Sequence, residues 1–159
     1  MVRKILIAID DGGPARRAVE VGVDLAGELG ADVALLHVVD AALAFRNDLC
    51  ITDDELLGEL RERGRRLVQA SAAALPAGMT CDPMLVDGDP AETIVNTAGD
   101  WGADLIVLGS DSRGRLAHFL LGSTADAVIR RAPCPVLTAR AVHGPETTQP
   151  RPGRGALAG

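Results

Sequence analysis

The sequence predicts a single α/β domain: a doubly wound, five-stranded parallel sheet with helices on both faces. Three observations point there. Short β-branched and aliphatic runs alternate with longer segments whose apolar residues recur at helical spacing. The short runs are nearly continuous in apolar residues, as parallel strands covered on both faces are. The length of 159 residues, 47% hydrophobic and 24% charged, suits one buried core and is short for two. Because only Phe45, Phe119 and Trp101 are aromatic, Ala, Val, Leu and Ile must fill that core.

The first strand is VRKILIAI, Val2 to Ile9, stopped by the turn and helix-start residues Asp10-Asp11-Gly12-Gly13-Pro14. From Pro14, the positions Ala18, Gly22, Leu25, Ala26 and Leu29 form one helical stripe, and Gly30 supplies a left-handed stop. Val33 to Val39 is the second strand, ended by Asp40. Residues 41–53 show no clean period. Leu56, Leu60, Gly64, Leu67 and Ala74 then mark a helix whose other face alternates Glu and Arg, a solvated face. Pro76-Ala77-Gly78 breaks it, and Thr80 to Val86 is the third strand. Gly88-Asp89-Pro90 opens a helix through Ala91, Ile94, Ala98 and Trp101. Leu105 to Leu108 is the fourth strand, Ser123 to Arg131 the next helix, and Val136 to Ala139, after Pro133-Cys134-Pro135, the fifth strand. Such alternation implies right-handed crossovers and a mostly parallel sheet. Residues 141–159 hold four Gly and three Pro with little apolar content, so the expected domain is 1–140 and the remainder a disordered tail.

Several function classes lose support on composition alone. A net charge of −6 opposes general binding to nucleic acid or anionic membranes, which need a basic face. No apolar run approaches the roughly 18 residues of a membrane span, and the start of the chain lacks a signal-peptide pattern, so the expected location is cytoplasmic. Cys50, Cys81 and Cys134 are odd in number and lack C-x-x-C spacing, which fits small buried hydrophobes. Neither a G-x4-GK-[ST] phosphate loop nor H-E-x-x-H, G-x-S-x-G or G-x-G-x-x-G occurs. His37 and His118 lie in apolar stretches and read as packed residues, and His143 falls in the tail. No catalytic residue or protein metal site is expected.

One segment remains, LGSDSRGRLAHFLLGST, residues 108–124. Ligands of open parallel sheets sit beyond the carboxyl ends of the strands, where strand order reverses. If the first and fourth strands are neighbours, Asp10 faces a loop rich in backbone N–H groups, and Gly122-Ser123-Thr124 opens a helix whose unpaired N–H groups and dipole attract anions. Phosphate would fit there without a basic patch. An ordinary loop followed by an ordinary helix cap satisfies the same residues.

KILIAIDD, LLHVV, GDPAETI, GADLIVLGS, LLGST and APCPVLTAR, in this order and spacing over about residues 2–140, resemble the universal stress protein family. The resemblance implies strand order 3-2-1-4-5, which makes strands one and four neighbours. One branch of that family binds ATP through G-x2-G-x9-G-[ST]. Here the pattern falls on Gly109, Ser112, Gly122 and Ser123, with serine replacing the second glycine. By the same resemblance Asp10 meets the ribose, the backbone near Val38 meets the adenine, and Ala8 lies beside the base. Leu108, Ser112 and Thr124 add backbone contacts to ribose or phosphate. Asp111 places a negative charge beside the phosphates, followed by Arg113, Arg115 and His118 as positive candidates, with Gly114 as a second bending point. The resemblance thus implies a homodimeric, ATP-binding stress regulator, with Mg or Mn accompanying the nucleotide and the strand Val136–Ala139 pairing across a two-fold axis. The alternatives are a dimeric interaction module without nucleotide and a slow ATP hydrolase.

Overall fold

A computed structural model describes residues 1–44, 53–110 and 122–140. Asp111, Ser112, Arg113, Gly114, Arg115, His118, Cys50 and the expected tail 141–159 lie outside the described residues. The elements run β1 Lys4–Ala8, α1 Gly13–Leu29, β2 Asp32–Val39, α2 Ala41–Ala44, α3 Asp53–Ala73, β3 Cys81–Asp87, α4 Pro90–Trp101, β4 Leu105–Ser110, α5 Ser123–Arg131 and β5 Val136–Arg140. The sheet is parallel in the order β3-β2-β1-β4-β5, with Ile5 opposite Val33 and Leu105, and Ile7 opposite Leu35 and Val107. Strands one and four are therefore neighbours.

Side chains alternate across the sheet and make two cores. Ile5, Ile7, Ile9, Val33, Leu35 and Val107 pack beneath α1 and α3. Leu6, Ala34, Leu36, Ile106 and Leu108 pack beneath α4 and α5, through Ala91, Ile94, Ala98, Ala125 and Val128. Period-two burial on both faces explains why these strands read as continuous apolar runs. Helix α1 comes unusually close to the sheet: a Cβ on Gly22 would stand 2.5 Å from Ile7 Cδ1.

Helix ends follow the punctuation in the sequence. Gly30 and Gly102 close α1 and α4 in the left-handed conformation, at φ 63° and 73°. Asp89 caps α4 by accepting from the Glu92 N–H at 2.9 Å, with Pro90 in the first turn. The outer face of α3 carries the Arg65–Glu62 pair at 2.6 Å, and Arg61 reaches Asp87 of β3 with Nε at 2.8 Å.

Strand boundaries differ from the sequence reading: β1 is shorter than Val2 to Ile9, spanning Lys4–Ala8, while β2 starts one residue earlier and β5 ends one residue later than expected. β4 continues past Leu108 because Gly109 and Ser110 pair with Ala139 and Arg140 of β5. β3 starts one residue later than expected and runs to Asp87, which pairs with Val39. The unpatterned stretch after Asp40 begins with the single turn α2. Cys81 and Cys134 are free and half-buried, and burial raises both thiol pKa values, as for small packed hydrophobes.

At the amino edge of the sheet Asp104 ties the start of β1 to β4. One carboxylate oxygen accepts from the Arg3 N–H at 2.8 Å and the Lys4 N–H at 3.1 Å. These bonds, the Arg3 one foremost, hold its pKa below the ordinary carboxylate value. A group depressed in the fold stabilises it fully above its unfolded pKa, about 3.9, and ceases to as pH falls through the lower folded value. Asp104→Asn should therefore melt at a lower temperature than wild type at pH 7. The two melting curves should converge on acidification, as pH falls below the unfolded value of about 3.9 and through the lower folded one. A difference independent of pH would show that the charge plays no part.

Candidate functional site

The carboxyl edge of the sheet gathers the residues of interest. β1 ends at Ala8, but the Ile9 N–H still donates to Leu36 O at 2.8 Å, so the chain turns away only at Asp10. Ala8, Asp10, Val38, Leu108, Gly109 and Thr124 line one cavity of about 210 Å³. Six of the nine residues singled out from sequence thus share one wall. Gly122 and Ser123 sit next to Thr124, at the entry to α5. Ser112 lies outside the described residues.

Asp10 is exposed, and its Oδ1 accepts from the Gly12 N–H at 2.7 Å. A Cβ on Gly12 would stand 2.8 Å from that oxygen, so glycine lets the turn close around the carboxylate. The bond orients the side chain and leaves Oδ2 to accept from hydroxyl donors.

The two glycines of the site have different physical reasons. A Cβ on Gly109 would lie 2.4 Å from the carbonyl carbon of Pro14 and 2.6 Å from Ala15 N, so the first turn of α1 presses directly on β4. Gly109 is required by packing. Gly122 has φ −60° and ψ 157°, which any residue adopts, and a Cβ there would meet nothing within 4 Å among the described residues. Neither backbone strain nor packing among the described residues asks for glycine at that position. No side chain caps α5, whose first intrahelical bond is Asp126 N–H to Gly122 O at 3.0 Å. The N–H groups ahead of Asp126 have no intrahelical acceptor and, among the described residues, no other hydrogen-bond partner, the arrangement that receives anions at helix amino ends.

Among the wall residues that sequence reasoning did not place at the site are Pro90 and His37. The expectation of a packed His37 holds in part: the ring is half-buried, and Nδ1 donates to Ile9 O at 2.8 Å. It also borders a second cavity of about 320 Å³ toward α3, joined to the first through Asp10, His37, Val38 and Pro90. The signal was Gly64: a Cβ there would stand 2.6 Å from His37 Cδ2, so the glycine in the helical stripe marks where the ring lies. Arg63 of α3 pairs with Asp11 at the rim of this second cavity. An open groove between α1 and α3 is larger, about 790 Å³; it is lined by Val19, Val23, Leu67 and Ala70 and reaches the start of α1 at Gly12 and Ala15, but of the nine residues singled out from sequence it takes in Asp10 alone. Among the described residues no three His, Cys, Asp or Glu side chains are grouped to hold a metal, and no helix is long and apolar enough to cross a membrane.

The two glycines should separate in a urea unfolding experiment. Gly109→Ala forces backbone apart and should cost about 3 kcal/mol or more. Gly122→Ala loses only a favourable N-cap residue and should cost no more than about 1 kcal/mol. Equal losses would contradict the packing assigned to Gly109.

A model of the universal stress protein family matches residues 1–140. The universal stress protein YxiE of Bacillus subtilis is 31% identical over 148 residues, spanning 88% of this chain and 100% of that protein. Among solved structures, the hypothetical protein MJ0577 superposes with a TM-score of 0.78 at 29% identity, covering 91% of this chain and 99% of its own. A universal stress protein family protein of Arabidopsis thaliana, solved with AMP bound, shares the fold with a TM-score of 0.62 at 20% identity, covering 88% of this chain and 92% of its own.

Proposed function

Because the chain belongs to the universal stress protein family, we propose that it is a homodimeric stress regulator that binds ATP where β1, β2, β4 and α5 meet. The observation that carries this reading is the single cavity bringing Ala8, Asp10, Val38, Leu108, Gly109 and Thr124 together beside an uncapped helix. Asp10, with one oxygen held by Gly12, takes the ribose hydroxyls through the other. The base lies against Ala8 and the backbone at Val38. The phosphates lie along the N–H groups of Ser123 and Thr124, with Gly122 allowing close approach, and Ser112 closes the pattern from the loop. A divalent ion, Mg or Mn, arrives on the triphosphate rather than in a protein site. The family protein of Arabidopsis thaliana solved with AMP supports an adenine nucleotide as the ligand class. The protein acts in the cytoplasm, through residues 1–140, and senses nucleotide rather than turning it over. Ser112 in place of the family's second glycine favours one other reading, a dimeric interaction module without nucleotide.

The dimer forms through β5. Both sheet edges are strands, β3 and β5. β3 is blunted by Asp82, Pro83 and Asp87, devices that discourage pairing. β5, VLTAR, carries no proline and only one charge, at its last residue, so pairing across a two-fold axis covers it.

Calorimetric titration tests the site. Gly122→Val should abolish or strongly weaken ATP binding, whereas Ser112→Gly should match wild type or bind up to about tenfold tighter, roughly 1.4 kcal/mol. Asp111→Asn should tighten binding by removing a like charge, less so at high salt. If wild type and Ser112→Gly both fail to bind ATP, ADP or AMP at millimolar concentration with Mg or Mn, the interaction-module reading replaces this one.

Sedimentation at tens of micromolar tests the assembly. Wild type should run as a dimer and Val136→Pro as a monomer. A monomeric wild type, or a dimer indifferent to that substitution, rejects pairing through β5.

A further inference from the structure

The open groove between α1 and α3 is floored by Val19, Val23 and Leu67, and α3 leaves it shallow by offering only the exposed Ala70 and Ala74. The charges along it are unequally matched. Arg17 pairs with Glu20 at 2.8 Å, Asp11 with Arg63, and Asp10 accepts from the Gly12 N–H. Arg16 and Asp24 are exposed, and the side chain of neither has an ion pair or hydrogen bond among the described residues. They stand eight residues apart on α1, about 12 Å along its axis, the cation toward the carboxyl edge of the sheet and the anion toward the amino edge.

The described chain ends at Arg140, close to one end of this groove. Ala139 pairs with Gly109, and Gly109 rests on Pro14 and Ala15, so residue 141 begins beside the first turn of α1, where Gly12, Ala15 and Arg16 line the groove. Glu146, the one acid of residues 141–159, is six residues from Arg140, about 20 Å of extended chain, enough to pass around a helix about 10 Å across. Arg151 follows five residues later, a further 16 Å or about that in an extended chain, and the reach of the side chains takes up the difference from 12 Å. Acid then base along the chain thus meets cation then anion along the groove.

We propose that this groove is the docking site of residues 141–159 of the same chain, with Glu146 on Arg16, Arg151 on Asp24 and Pro150 over the aliphatic floor between them. The composition of that segment gives it too little apolar surface to order on its own. Attachment at Arg140 changes the balance. Docking becomes intramolecular, at an effective concentration in the millimolar range, so two exposed ion pairs and a proline contact suffice where they would not hold a free peptide. Ile9, Asp10 and Ala15 line both this groove and the cavity beside Thr124, so the docked segment bears on the turn that carries Asp10.

The test uses the full chain, isotope-labelled for NMR, with Cys50, Cys81 and Cys134 replaced by alanine and a nitroxide on Gln149→Cys. The amides of Val19, Val23 and Ala70 should lose most of their intensity at low salt, and those of Ile94 and Ala98, on the opposite face of the sheet, should keep theirs. At about 1 M salt, where the screening length is about 3 Å, the intensity should return. Glu146→Arg should abolish the broadening, and Glu146→Arg combined with Arg16→Glu should restore it. No broadening at low salt, equal broadening on both faces, or broadening indifferent to salt or to Glu146→Arg overturns the proposal, and so does a double reversal that fails to restore it. A second readout leaves the cysteines in place: in the unlabelled full chain Glu146→Arg should shift the same groove amides, and resonances that do not move overturn the proposal equally.

Discussion

The close approach of α1 to the sheet is the constraint on which the carboxyl edge depends. At one end Gly109 of β4 lies against the backbone of Pro14 and Ala15, and farther along α1 Gly22 admits the side chain of Ile7. Two missing side chains let a helix rest on two central strands almost without spacers. That contact fixes where α1 begins, and hence the turn from β1. The turn carries Asp10, whose carboxylate is bonded to the Gly12 N–H at the cap of the same helix. Packing in the core thus reaches the carboxyl edge through Gly109, Pro14, Gly12 and Asp10. A longer side chain at either glycine would push the helix outward and move Asp10 relative to β4.

Much of the fold was legible because burial on both faces writes itself as apolar runs. Leu6, Ala34 and Leu36 on one face and Ile5, Val33 and Leu35 on the other are all fully buried, so no polar residue interrupts the pattern. The sequence reading makes β1 too long at both ends, Val2 to Ile9 against Lys4–Ala8, and cuts two other strands short where pairing overrides propensity. Gly109 and Ser110 have little intrinsic preference for a strand, yet both continue β4 because β5 offers partners at Ala139 and Arg140. Asp87 looks like a turn residue, yet it extends β3 beside Val39, with its side chain drawn to Arg61. In each case the decisive neighbour lies more than twenty residues away in sequence.

The candidate site was legible in a different way. Asp10, Gly109 and Thr124 could be brought together on paper because strand order makes β1 and β4 adjacent, and the structure gathers them at one cavity. The recess beyond His37 could not be foreseen. It depends on α3 crossing β2 at Gly64, and a single apolar stripe does not state which of its members faces which strand. A histidine within an apolar run looks like filling until its ring nitrogens are placed. Here one faces a carbonyl and the ring borders a cavity.

An acidic protein that takes an anion must do so without a general attractive field. With a net charge of −6, long-range electrostatics repel a triphosphate, so in the proposed reading affinity has to come from short-range donors. The exposed Arg63 is partnered by Asp11 at the rim, and exposed pairs of this kind contribute little. Backbone N–H groups meet the need because they add attraction without altering net charge, and the amino end of α5 presents several of them uncapped. Gly109 and Gly122 then carry unequal weight. The fold alone demands the first, through its contact with α1, whatever lies in the cavity. At the second, no conformational or packing requirement among the described residues excludes a side chain, and in the proposed reading a side chain there would stand between the phosphate and the first turn of the helix. The functional argument therefore rests on Gly122 and the donors behind it, and Gly109 serves that argument only by holding β4 and the Asp10 turn in register with them.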